Sequence, residues 1–129
     1  MTLTPTQTGI NAKATTGFGN AILVKGFATA TYSFGTASSA DMTVKIQGAT
    51  GDTAPDFTAA ASATNRWSYI DFGILNNAGL ITDGDTGIIW TGTDYETSAS
   101  VNYDNLDWLC LQITARAAGT LTATLALSE

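Results

Sequence analysis

Histidine is absent from the 129 residues, and cysteine occurs only once. Without histidine the chain lacks the commonest general base and neutral metal ligand. A Ser-His-Asp or Cys-His nucleophile cannot be built within one chain, and no Cys/His spacing for zinc exists. A lone cysteine forbids an intramolecular disulfide and gives no sign of an oxidising compartment. Cys110 lies in the apolar run from Trp108 to Ile113, the setting of a small buried hydrophobe. Charge is scarce as well. Five cations and eleven acids make up 12% of the chain, with a net charge of −6, about half the usual charged share.

These scarcities exclude several classes. Lys13, Lys25, Lys45, Arg66 and Arg116 are scattered, so no basic stripe meets a phosphate backbone, and nucleic acid is not an expected partner. The Glu, Lys and Arg that normally line the wet side of long helices are missing. No apolar stretch approaches the length of a membrane span. The opening Met1 to Asn20 has neither the charged nor the apolar region of a signal peptide, so synthesis in the cytoplasm is expected. No Gly-rich loop runs into Lys-Ser/Thr, which excludes a P-loop.

What the chain has is threonine, alanine, glycine and alternation. Thr suits the half-buried surface of a strand. In MTVKIQG, Met42, Val44 and Ile46 point one way while Thr43, Lys45 and Gln47 point the other, the period of a strand with one buried face. Further strands are expected at 27–34, 66–75, 86–91, 97–103, 106–114 and 120–128, with a short apolar run at 21–24 and the start of a short strand at 80–81. The polar 97–103 segment reads as an edge, and 106–114 reads as central because both its faces are apolar. Turn residues separate them at 35–40, 76–79, 83–85, 92–96, 104–105 and 115–119. The short ARAAG link suggests an antiparallel hairpin between the last two strands. The connection 49–65 reads as a long insertion, with a short helical turn conceivable at 58–63. Seven to eight short strands without helices predict an all-β, antiparallel sandwich over residues 21–129. Residues 1–20, with Pro5 and three glycines, read as an extended N-terminal arm.

Candidate chemistry is thin. Asp83 and Asp85, and likewise Asp94 and Glu96, sit in turns and could contribute oxygens to a hard cation, but Ca²⁺ takes six to eight, so structural turns are the favoured reading and no cofactor is expected. The aromatics Trp67, Tyr69, Trp90, Tyr95, Tyr103 and Trp108 could serve as core, as a sugar-stacking platform or as an interface. Trp67 and Tyr69 share a face opposite Ile70 and Phe72, which makes an exposed pair and an interface the expectation, with Trp90 and Tyr95 as further interface candidates.

MTVKIQGATGD (Met42 to Asp52) and LDWLCLQITARAAGTLTATLAL (Leu106 to Leu127) resemble small β-sandwich structural and decoration proteins of tailed-phage virions: a strand into a Gly/Asp turn, then an aromatic-apolar strand, a small-residue turn and a Thr-alternating final strand. The resemblance spans roughly residues 43–127. The chain departs from it at Pro55-Asp56-Phe57, where a Trp usually follows the turn. The resemblance implies a jelly-roll-like sandwich without enzymatic activity that resides in the virion. It implies the major capsid protein or other virion proteins as partners, and a homo-oligomer, with a trimer favoured. A sparsely charged surface suits a subunit covered by its neighbours. Carbohydrate-binding modules share such patterns, so a sugar-binding or adhesion module using the aromatics is the alternative.

Overall fold

A computed structural model describes residues 6–74, 81–101 and 106–128. The strands are β1 (Thr6–Lys13), β2 (Gly17–Phe18), β3 (Ile22–Leu23), β4 (Thr29–Ala49), β5 (Ser68–Tyr69), β6 (Phe72–Ile74), β7 (Ile81–Thr82), β8 (Ile88–Thr91), β9 (Thr97–Val101) and β10 (Trp108–Ser128). All pairings are antiparallel, and no helix occurs among the described residues. The expected all-β antiparallel class is the observed one.

Two strands of 21 residues each, β4 and β10, organise everything else. They pair along their whole length, from Trp108↔Ala49 to Ser128↔Thr29. The expected hairpin between 106–114 and 120–128 is therefore not formed, and the expected turn at 35–40 does not reverse the chain. Both segments are corners inside continuous strands. At one corner Ser38 and Ser39 adopt φ of 65° and 55°. At the other, Gly119 has φ 89° and lies so close to β4 that a Cβ would stand 2.5 Å from Ala40 Cα. The β4–β10 register shifts between Ile113 and Ala115, Arg116 and Ala118, and Ala118 and Thr120. Such bulges bend a strand sharply without ending it.

The bent ribbon explains the core. Ala30, Tyr32 and Phe34 precede the corner of β4, and Ala40, Met42, Val44 and Ile46 follow it. Leu109, Leu111 and Ile113 precede the corner of β10, and Leu121, Ala123, Leu125 and Leu127 follow it. All are buried in one cluster. Phe34 and Ala40 lie six positions apart and Ile113 and Leu121 eight, and the buried positions on both sides of each corner belong to one core, so the same ribbon face stays apolar through the bend. Folding that face onto itself removes it from water, and the ribbon becomes two layers joined at a corner. Trp90 on β8 meets Phe34 edge-on across the layers, with ring centroids 6.2 Å apart.

The short strands complete each layer. The first half of β4 and second half of β10 are flanked by β1, β9, β6 and β7; this is layer A. The second half of β4 and first half of β10 are flanked by β2, β3, β5 and β8; this is layer B. β9 lies between β4 and β6, so it is an interior strand, not an edge. The single strand expected over 66–75 is divided: β5 serves layer B, and β6 serves layer A. The crossing is held by Ile70 N–H donating to Ile46 O and by Gly84 N–H donating to Asp71 Oδ1 at 2.7 Å.

Residues 6–13 of the expected arm are part of the sheet, paired with β10 and burying Ile10. The 49–65 connection has turns at Asp56–Ala59 and no helix. The expected features at Met1–Pro5, Leu75–Leu80 and Asn102–Asn105, Tyr103 included, fall outside the described residues.

Candidate functional site

Each layer has an inner face in the core and an outer face. The outer faces differ, and the difference defines the candidate site.

On layer B the outward positions are large. Phe18, Gln112 and Lys45 form one row across the strands, Cys110, Gln47 and Tyr69 another, and Leu23, Trp108 and Ala49 a third. The segment 50–67 folds back over them. Phe57, Ala49 and Cys110 are buried there as a second small core, with Phe18, Trp67 and Trp108 against it. Polar groups fix the cover. Gln47 is fully buried and donates Nε2 to Phe57 O at 2.9 Å. Trp108 donates Nε1 to Gly51 O, and Trp67 donates Nε1 to Ala59 O. Asn65 staples the cover to itself: its Oδ1 accepts Asp56 N–H, and its Nδ2 donates to Asp56 O and Ala60 O. Burial pushes the Cys110 thiol up to about 12, against a small opposing effect of its bond to Gly19 O; the group is a neutral space-filler.

Trp67 and Tyr69 do share this outer face, edge to face with centroids 5.1 Å apart. They are half-buried rather than free. Tyr69 donates its hydroxyl to Gln112 Oε1 at 2.6 Å, and Lys45 Nζ sits 4.8 Å over its ring. Trp90 has no accessible surface and belongs to the core. Tyr95 stacks on Trp90 at 5.1 Å, donates its hydroxyl to Ile89 O and keeps 41% of its surface exposed. With Ile89 it forms the small apolar spot at the β8 edge.

The carboxylates hold backbone. Asp94 spans the β4 corner: Ala40 N–H donates to Oδ1 at 2.9 Å and Ser39 N–H to Oδ2 at 3.0 Å. These two bonds, first Ala40 and then Ser39, hold its carboxyl below the usual range. Asp83 makes a tight turn, accepting Asp85 N–H at Oδ1 and the amides of Thr86 and Gly87 at its carbonyl. Asp85 and Asp83 thus share a turn. No group of three or more acidic or Cys ligands converges among the described residues.

On layer A the described outward positions are small, except for Ile81 on β7, which pairs with Gly73 at the end of the sheet and is exposed. Gly73, Ser100, Thr31, Ala126 and Thr6 form a row across five strands. Ser98, Ser33, Thr124 and Thr8 form the next, and Gly35 and Thr122 a third. Ser33 and Ser98 hydroxyls lie 3.5 Å apart. A shallow groove of about 580 Å³ runs over them, lined by Ser33, Gly35, Glu96, Ser98, Thr122 and Thr124. A Cβ at Gly35 would touch nothing. Among the described residues Glu96, at the rim, is the charged side chain bordering this groove. The polar alternation of 97–101, which suggested an edge, belongs instead to this uncovered face.

No family model matches the chain, and no curated protein sequence does. Among solved structures a match is found in fold. The architecture resembles that of the SPBc2 prophage-derived protein YomS. The two superpose with a TM-score of 0.69 over 99% of this chain and 97% of YomS, at 9% sequence identity. At that identity the likeness concerns the fold alone; it shows that the bent two-layer sheet occurs in a prophage-derived protein.

The sequence offered little to mark the residues that matter most. Asp94 was visible only as half of an acidic pair, and Asn65 and Gln47 carried no motif. Gly119 stood in a stretch that reads as any small-residue turn.

Proposed function

We propose that this chain is a non-enzymatic structural subunit of a tailed-phage particle, a decoration or cement protein that sits on the capsid lattice and is assembled in the host cytoplasm. The observation that carries this reading is the outer face of layer A, which no described segment covers and which is built of Ser, Thr, Ala and Gly across five strands, with Ile81 at its end. Small side chains lose little rotamer freedom when covered, and hydroxyls both donate and accept, so such a face loses little on being covered by protein. The fold shared with a prophage-derived protein agrees with a phage origin. Of the candidate carboxylates, Asp94 and Asp83 accept backbone amides and so act as structural groups in their turns. The partners are further copies of the chain and the major capsid protein or another virion protein. Many copies on one particle add avidity, so each contact can be modest.

The test is to express an epitope-tagged chain in a host producing the phage that carries the gene and to band the particles on a density gradient. The proposal expects the tag in the particle band at many copies per particle. Particles free of the tag, with the chain confined to the soluble fraction, contradict it.

A further inference from the structure

The layer A face has a feature that selects its occupant. We propose that it is covered by the same face of a second copy, the two related by a two-fold axis. This deepens the structural-subunit reading and rests on it in treating the face as an assembly surface.

Charge is the first argument. The chain carries a net −6, so two copies repel over most approaches. On this face the rows Gly73–Ser100–Thr31–Ala126–Thr6 and Ser98–Ser33–Thr124–Thr8 present no ionisable side chain, and Glu96 borders the groove only at its rim, so two copies can meet over these rows with few like charges between them. A positively charged partner would gain nothing specific from it either.

Chemistry is the second. A two-fold contact must be self-complementary, because each residue type meets the same patch on its mate. Serine and threonine hydroxyls satisfy that condition on their own, each being donor and acceptor. A trimer needs two different patches that fit each other, and one uniform hydroxyl face does not provide them. The inference therefore replaces the expected three-fold assembly by a two-fold one.

Area is the third. The three rows and Ile81, each outward position spanning about 4.8 Å across the strands and about 6.8 Å along them, give a patch of roughly 400 Å² in plan. Two such patches bury on the order of 800 Å² in total, the size of a weak, concentration-dependent contact. Strand-edge association is disfavoured by comparison. Tyr95 hydroxyl occupies Ile89 O on the β8 edge. β1 is broken by register shifts, with Ala12 at φ 47° and its amide taken by Thr122 Oγ1.

Sedimentation velocity of the full chain from micromolar to millimolar concentration tests this. Ser33→Lys and Thr124→Lys are compared with the wild type, and Ser68→Lys on the other layer is the control. Circular dichroism and Tm establish that each variant is folded. The expected result is a monomer–dimer equilibrium whose midpoint rises roughly tenfold or more in both layer A variants, because like charges then face each other across the axis, and stays fixed in Ser68→Lys. A chain that remains monomeric at all concentrations, a trimer, or a dimer indifferent to both lysines overturns the inference. The outcome stays separable from the particle assay. A monomer that bands with particles removes the two-fold contact and leaves the structural-subunit reading. A dimer that responds to the lysines but never bands supports the two-fold contact and removes that reading.

Discussion

The two outer faces of this protein are built on the same pair of strands, and they have opposite fates. On layer B the outward residues of β4 and β10 include Lys45, Gln47, Ala49, Trp108, Cys110 and Gln112, and the chain invests residues 50–67 in covering them. On layer A the outward residues of the same two strands are Thr31, Ser33, Gly35, Thr122, Thr124 and Ala126, and no described segment covers them. Large apolar side chains left in water would be an aggregation risk, so layer B needs its own cover. Layer A can stay bare in the free chain and still be covered later at little entropic cost. The pair teaches that low surface charge here has a location: the uncharged surface is concentrated where a partner can reach it.

The comparison can be broken most severely at the cover. Phe57→Ala is expected to destabilise the protein by about 3–4 kcal/mol, the usual cost of emptying a buried aromatic site, and to expose Cys110. Chemical denaturation and the rate of thiol alkylation check both effects. A smaller effect is expected for Trp67→Ala, about 1–2 kcal/mol, since the indole is half-buried and loses one hydrogen bond and one ring contact. The corner gives the next prediction. Asp94→Ala removes the acceptor for two backbone amides and lowers Tm measurably. The wild type shows the same loss in acid. Because the Asp94 carboxyl is held below its ordinary value, its contribution is present above the unfolded-state value and disappears as pH falls through the lower folded one. The difference in Tm between wild type and Asp94→Ala should therefore shrink at strongly acid pH, as followed by calorimetry. The smallest stability effect belongs to layer A. Ser33→Lys and Thr124→Lys should each change unfolding free energy by no more than about 0.5 kcal/mol while weakening association. A large destabilisation from either would mean that the bare face has a structural role in the single chain.

Much of the fold was legible as alternation. Met42, Val44 and Ile46, the Leu109–Ile113 odd positions and the Leu121–Leu127 odd positions all lie in the core where the period of two puts them. The continuity of β4 and β10 was not legible, because Ser38, Ser39 and Gly119 are as suited to a chain reversal as to a bulge. Parity does not separate the two cases either: apolar positions keep the same alternation across 34–40 and 113–121, which suits a bend and an odd-length hairpin loop alike. The candidate site was half legible. The alternation put Trp67 and Tyr69 opposite Phe72, which is where they lie. It could not show that a connection with no strand pattern of its own returns over them. Trp90 stood among the interface candidates because an aromatic side chain serves core and interface alike. Its burial comes from Phe34 and Tyr95, which are distant in the chain or lie beyond a turn. Ser98 and Ser100 looked like an edge, because polarity in a single strand does not distinguish an unpaired edge from an uncovered face.

The most direct test of the assembly surface uses one engineered thiol per layer. Ser33→Cys on layer A and Ser68→Cys on layer B are alkylated under reducing conditions at low and at high protein concentration; the native Cys110, buried and pushed up to about 12, reacts slowly enough to serve as background. The account predicts that alkylation at position 33 slows as concentration rises while alkylation at position 68 does not change. Equal rates at position 33 throughout, or protection at position 68 instead, would contradict it.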